Sequence, residues 1–303
     1  MSQFLNSAGD FEHRQGNFQE AYSYFVESRN HIDPENPAHS HLQAILDNNF
    51  GAVLKDLNRF DEAVGLFRSA CRSYYRSFGR LHPPLVPNLS NICACELALG
   101  NSKNAYDAIC EAVNVSTILF GSTSLSTLRL NLDLAEVAKT YSAAGDPVDI
   151  FTVTIDSLES MVSPDYLLIA EARVALSREI RSRSRNHNQA DRILSDGIAF
   201  MRKFENAKSE PLAILHIESG LNESKQPAVA ATHFRAAASA FEQDVNLYSS
   251  MRKIDRYART LFNSANASLA FGDVDSCRYF VKKCIEVQQQ HLPDDIEGSQ
   301  EAL

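Results

Sequence analysis

The same turn is written three times in this chain at one interval. Gly16-Asn-Phe-Gln-Glu-Ala21, Asn58-Arg-Phe-Asp-Glu-Ala63 and Gly100-Asn-Ser-Lys-Asn-Ala105 are each 42 residues apart. That interval also links Phe25, Phe67 and Ile109, and again Ser28, Ala70 and Ala112. Ala8-Gly9, Phe50-Gly51 and Ile92-Cys93 form a third set in register, and Phe78-Gly79 and Phe120-Gly121 a fourth. A fixed period of this length marks a repeat architecture, in which each unit is one supersecondary element.

Within a period the apolar residues recur at three-and-four spacing, as in Ala63, Leu66, Phe67 and Ala70, which predicts two amphipathic helices per unit. The Gly or Asn between them ends the first helix, because such residues take positive φ at little cost. Ala21, Ala63 and Ala105, with Gly9 and Gly51, let the paired helices approach closely. Phe25, Phe67 and Ile109 fill the gap to the next unit. One hairpin cannot bury its apolar face alone, so the units must stack.

These small and aromatic positions resemble the tetratricopeptide repeat. The 42-residue period, with the stretch Tyr75-Arg-Ser-Phe-Gly-Arg-Leu-His82-Pro83, is similar to the repeats of kinesin light chains and related scaffold proteins. The resemblance covers residues 1–145, three regular repeats. It implies an all-α, right-handed α-solenoid and a role in holding other proteins, with cytoskeletal or motor association as a further expectation. Beyond Gly145 the period breaks, but hairpin signals persist over 146–291. Asp146-Pro147 and Ser163-Pro164 each read as an N-cap followed by Pro at the first helical position. Four degenerate hairpins fit here, with second helices starting near Pro147, Asn188, Pro227 and Asp273, giving about seven in all. Residues 292–303 read as an acidic, flexible tail.

Several function classes fall away. A net charge of −9 argues against nucleic-acid binding, which draws on a basic surface. No apolar run reaches the roughly 18 residues that a membrane span needs, and the opening MSQFLNSAGDFEHRQG has neither the basic lead of a secretory signal nor that of a mitochondrial one. The expectation is a soluble, cytoplasmic protein without membrane insertion. Cys71, Cys93, Cys95, Cys110, Cys277 and Cys284 sit in apolar helical stretches and lack zinc-ligand spacing, so they read as reduced thiols. His39-Ser-His41, with His31 nearby, has no fixed helical geometry for a metal. No phosphate loop, dinucleotide fingerprint, HExxH or GxSxG is present. The expectation is therefore no enzyme, no cofactor and no metal.

Two features could carry binding to a protein or peptide partner. Asn49 and Asn91 are again 42 apart, on the first helices of successive repeats, and Asn263 holds the equivalent place in the last hairpin. The resemblance implies that such an Asn faces inward and holds a ligand backbone through its amide; equally, these residues could bridge adjacent helices. In the carboxylate-clamp variety of this family the first repeat supplies Lys and Asn and the third Lys and Arg. The matching positions here are Asn6, Asp10, Pro87 and Asn91, with only Asn49 kept. An acidic Asp10 would repel a terminal carboxylate, which argues against Hsp70 or Hsp90 tails. The second feature is an arginine cluster, Arg173, Arg178, Arg181, Arg183, Arg185 and Arg192. The alternation Arg181-Ser-Arg-Ser-Arg185 predicts an exposed turn, which either binds an acidic segment bidentately or is simply solvated. The reading that follows is an interaction scaffold or adaptor within a larger assembly. Its rival is a peptide-responsive regulatory sensor of the same repeat type.

Overall fold

The computed structural model describes residues 1–33, 36, 39–183, 187–204, 209–244, 247 and 250–291; Arg185 and the acidic segment 292–303 lie outside them. Among the described residues there are fourteen α-helices and no strand, arranged in chain order as seven hairpins. These are α1 (Ser2–Gln15) with α2 (Phe18–Asn30), α3 (Ser40–Asp56) with α4 (Phe60–Phe78), and α5 (Leu85–Ala98) with α6 (Ser102–Phe120). Then come α7 (Leu125–Ala138) with α8 (Pro147–Glu159), α9 (Tyr166–Arg183) with α10 (His187–Met201), α11 (Ser209–Asn222) with α12 (Pro227–Glu242), and α13 (Met251–Phe271) with α14 (Val274–His291). The chain is an α-solenoid of such hairpins. Its packing forms two compact units, Met1–Ser157 and Leu158–Leu303, with the division inside α8.

The second helices of the irregular half begin at Pro147, His187, Pro227 and Val274, within a residue of where the capping and turn residues put them. One start differs. Ser163-Pro164 does not open α9; Asp165 does, its carboxylate accepting the Leu168 N–H at 3.1 Å. A carboxylate at the helix N-terminus satisfies an orphan N–H directly.

The three-fold turn of the first unit has one geometry. Gly16, Asn58 and Gly100 take φ of 85°, 59° and 78°. The next backbone N–H then returns to the carbonyl of Glu12, Leu54 or Glu96 at 2.9, 2.8 and 2.8 Å. Gly272 (φ 89°) repeats it in the last hairpin, with Asp273 N–H on the Ser268 carbonyl at 2.9 Å. This fixes the alignment of α13 and α14 with α5 and α6.

Hairpin closure is set by a small residue facing a ring. A Cβ on Gly9 or Gly51 would lie 2.9 Å from the ring of Phe25 or Phe67, both wholly buried. In the third hairpin the same two positions are Cys93 and Ile109: the larger residue on one helix is matched by the smaller on the other. Gly220 of α11 is again closed by a ring, Phe234, at 2.8 Å. Phe25 also stacks on Phe50 of the next hairpin, with centroids 5.8 Å apart.

The junction from one hairpin to the next carries its own matched pair. Arg68 on α4 reaches Glu96 on α5 at 2.6 Å, and the Glu96 side chain is 3% exposed. Asn101 donates to the same carboxylate at 2.8 Å. One period earlier these two positions hold Val26 and Leu54, and one period later Cys110 and Ala138. The pairs run apolar with apolar, cation with anion, small with small. In the second unit Arg235 of α12 spans the α12–α13 junction to Asp273 at 2.6 Å.

The buried cysteines behave as core apolar groups. Burial pushes the thiols of Cys71 and Cys93 up to about 12 and that of Cys95 to about 11.

Candidate functional site

In the second unit the first helices of three successive hairpins, α9, α11 and α13, line a groove of about 460 Å³. Helical spacing sets its surface. Val174 and Arg178 come from α9, Ile214, Ile217 and Leu221 from α11, and Arg256, Arg259, Thr260 and Asn263 from α13. Each set recurs at three or four residues, so each helix presents one face to the groove. The lining combines aliphatic with charged side chains.

Those charges are largely neutralised from within. Arg178 donates through two nitrogens to one oxygen of Glu218, at 2.6 and 3.1 Å. Arg256 lies 2.9 Å from Glu210 and 3.6 Å from Glu171. Arg259 pairs with Asp255 one turn away at 3.0 Å. Lys253, 3.5 Å from the same Glu210, is held above its ordinary value by its hydrogen bond to Asp244. An occupant would therefore meet aliphatic side chains among paired charges, with Asn263 also in the lining.

No protein-family model matches the chain. Over 126 residues it is 27% identical to mouse tetratricopeptide repeat protein 23, which covers 41% of this chain and 26% of that protein. The chain thus spans about a quarter of the length of this curated relative. Among solved structures it is similar to a putative kinesin light chain of Podospora anserina with nearly identical TPR-like repeats. The TM-score there is 0.53 at 14% identity, over 68% of this chain and 96% of that one. A Rap protein complexed with Competence and Sporulation Factor aligns at a TM-score of 0.53 and 11% identity, over 96% of this chain and 76% of that one. The hairpins are of the tetratricopeptide (TPR) type.

Within this TPR architecture, the asparagines singled out from the sequence fall in two settings. Asn263 lines the groove of the second unit. Asn49 and Asn91, in the first unit, are tied to the first helix of the preceding TPR hairpin. Asn49 donates to the side-chain oxygen of Asn6 at 3.3 Å, and Asn91 accepts from Lys55 at 2.8 Å. The ladder continues as Ser90 donates to Asp133 at 3.1 Å. Asp133 is one further period on from Asn91 and was open to discovery by continuing that spacing. The bridging role is thus realised geometrically for Asn49 and Asn91. On that geometry, Asn49→Ala should lower the stability of the first unit by about 0.5–1.5 kcal/mol, readable as a shifted denaturant midpoint at unchanged slope.

The arginine cluster is redistributed. α9 continues through Arg183, so Arg181 and Arg183 occupy the last helical turn where an exposed turn was expected. Ile180 is buried, and Arg183 pairs back to Glu179, which keeps that turn helical. Arg173 is largely buried against Glu159 at 2.7 Å and donates to the Ile193 carbonyl. Of the six arginines only Arg178 lines the groove; Arg185 lies outside the described residues. Arg256 and Arg259 were missed because no cluster in sequence marks them, although both stand on the Asn263 face at helical spacing.

Between α11 and α12 two histidines meet. His216 and His233 face each other through their Nδ1 atoms at 3.1 Å. Burial, with the neighbouring His233 and Arg202 adding to it, lowers His216 to about 4. Burial also lowers His233, against the pull of Glu223 and Asp191. One imidazole must donate and the other accept, so the accepting ring is neutral while that bond holds.

Proposed function

We propose that the chain is a non-catalytic interaction scaffold, and that the α9–α11–α13 groove takes an extended apolar segment of a partner protein. The carrying observation is the aliphatic set Val174, Ile214, Ile217 and Leu221 among internally paired charges. An acidic ligand would have to displace Glu218 or Glu210 from their arginines, whereas an apolar side chain only displaces water. Asn263 offers an amide donor and acceptor to the segment's backbone. The reading places the chain in the cytoplasm, in keeping with six free thiols.

The test is selection of peptides from a displayed random library against the chain, followed by titration of the winners. Ile217→Asp and Asn263→Ala should each weaken binding by about ten-fold or more, at unchanged helicity. Peptides that bind both variants as well as the original would move the site elsewhere. The Rap protein solved with Competence and Sporulation Factor favours a second reading, a peptide-responsive regulator. Hydrogen exchange with a selected peptide separates the two. Protection confined to α9, α11 and α13 fits a scaffold, and changes spreading through α10, α12 and α14 fit a regulator.

A further inference from the structure

The first helix of the chain carries the face of an interior helix. Phe4 and Phe11 on α1 are 71% and 59% exposed. One, two and three periods on, the Phe4 position holds Leu46, Asn88 and Leu130, each at most 4% exposed. The Phe11 position holds Val53, Cys95 and Val137, all at 0%. On α3, α5 and α7 this face lies on the side packed by the preceding hairpin. On α1 the same two positions present phenylalanines to solvent.

The last helix mirrors this. Aligned on the shared turn, Cys277 of α14 corresponds to Ala21, Ala63 and Ala105, and Val281 to Phe25, Phe67 and Ile109. All six of those residues are completely buried, with Phe25 stacked on the first helix of the following hairpin. On α14, Cys277 and Val281 are only half-buried, Ile285 is 37% exposed, and together they line a shallow groove of about 500 Å³ with Arg278 and Lys282 at its rim.

The charges match as well. Lys282 stands at the junction position of Arg68, and Glu12 of α1 stands at that of Glu96. Glu12 already reproduces the local setting of Glu96: it accepts from Asn17 at 2.7 Å, as Glu96 accepts from Asn101 at 2.8 Å. What Glu12 lacks is the cation across the junction.

We propose that α14 of one copy packs on α1 of a second copy, forming the hairpin-to-hairpin junction already used inside the first unit, with Lys282 paired to Glu12 of the second copy. The contact is heterologous: the patches on the two copies differ, so each added copy presents a fresh end and assembly grows head to tail. Sedimentation equilibrium over a wide range of loading concentrations should show association that rises with concentration beyond a dimer. Lys282→Glu alone and Glu12→Lys alone should each weaken it by about ten-fold or more, since each sets like charges against each other. The double variant, in which the pair is reversed, should recover it, and helicity should be unchanged in all three. Phe11→Ser should abolish association with the charges left intact. A chain that stays monomeric throughout, or one whose association ignores both charge reversals and Phe11→Ser, overturns the proposal.

Discussion

Gly51→Ala is expected to destabilise the first unit by about 1–3 kcal/mol, because the new Cβ would stand 2.9 Å from the ring of Phe67. That ring is wholly buried, so it cannot swing into solvent to make room. The third hairpin indicates the remedy. Gly51→Cys combined with Phe67→Ile copies the Cys93 and Ile109 pair, and most of the lost stability should return. Phe67→Ile alone removes buried volume and should itself be destabilising. The coupling between the two sites, read from a double-mutant cycle by chemical denaturation, should therefore be large and favourable. Additive effects would mean that the ring does not fix the spacing of α3 and α4.

The second large effect is expected in acid. His216 titrates near its ordinary value of 6.5 in the unfolded chain and at about 4 in the folded one. Between those values the unfolded state binds more protons, so folding stability falls as pH falls through that window. By pH 4 the loss from this group is about 3 kcal/mol, and His233, lowered as well, adds to it in the same direction. Denaturation of the second unit followed from pH 7 to pH 4 should show that decline. His216→Leu should flatten it, at the cost of some neutral-pH stability through the lost hydrogen bond to His233. An equally steep acid limb in this variant would assign the effect to other groups. Because α11 supplies Ile214, Ile217 and Leu221 to the groove, binding there should weaken over the same pH range.

What the sequence conveyed best was whatever repeats. The glycine and asparagine turns, the small residue opposite a ring and the helix starts after Asp146 and Gln226 are local choices, and each appears in the structure where its spacing put it. What it conveyed poorly depends on tertiary partners. The run Arg181-Ser-Arg-Ser-Arg185 reads as a loop by composition, yet α9 runs on through Arg183 because Ile180 is buried and Glu179 pairs one turn ahead. Asn49 and Asn91 were recognisable by period, but the neighbours that engage them, Asn6 and Lys55, follow from stacking rather than from spacing. The groove escaped notice for the same reason. Its lining comes from three helices that are far apart in the chain, and Arg256 and Arg259 look like ordinary solvated charges until α9 and α11 are set beside them.

The matched junction pairs bear on how such a gene can be edited. The first three hairpins share a turn and a closure, so they look like interchangeable cassettes, and unequal crossing-over could excise any one of them in frame. Removal of residues 40–81 would bring Val26 to the position facing Glu96, leaving a carboxylate buried without its cation. Removal of residues 82–123 would set Arg68 against Ala138, whose Cβ offers the guanidinium nothing. Neither shortened chain inherits a compatible seam. The order of the hairpins is thus written into the seams between them, and a lineage could lose one of the two inner hairpins only together with a compensating change at the new seam.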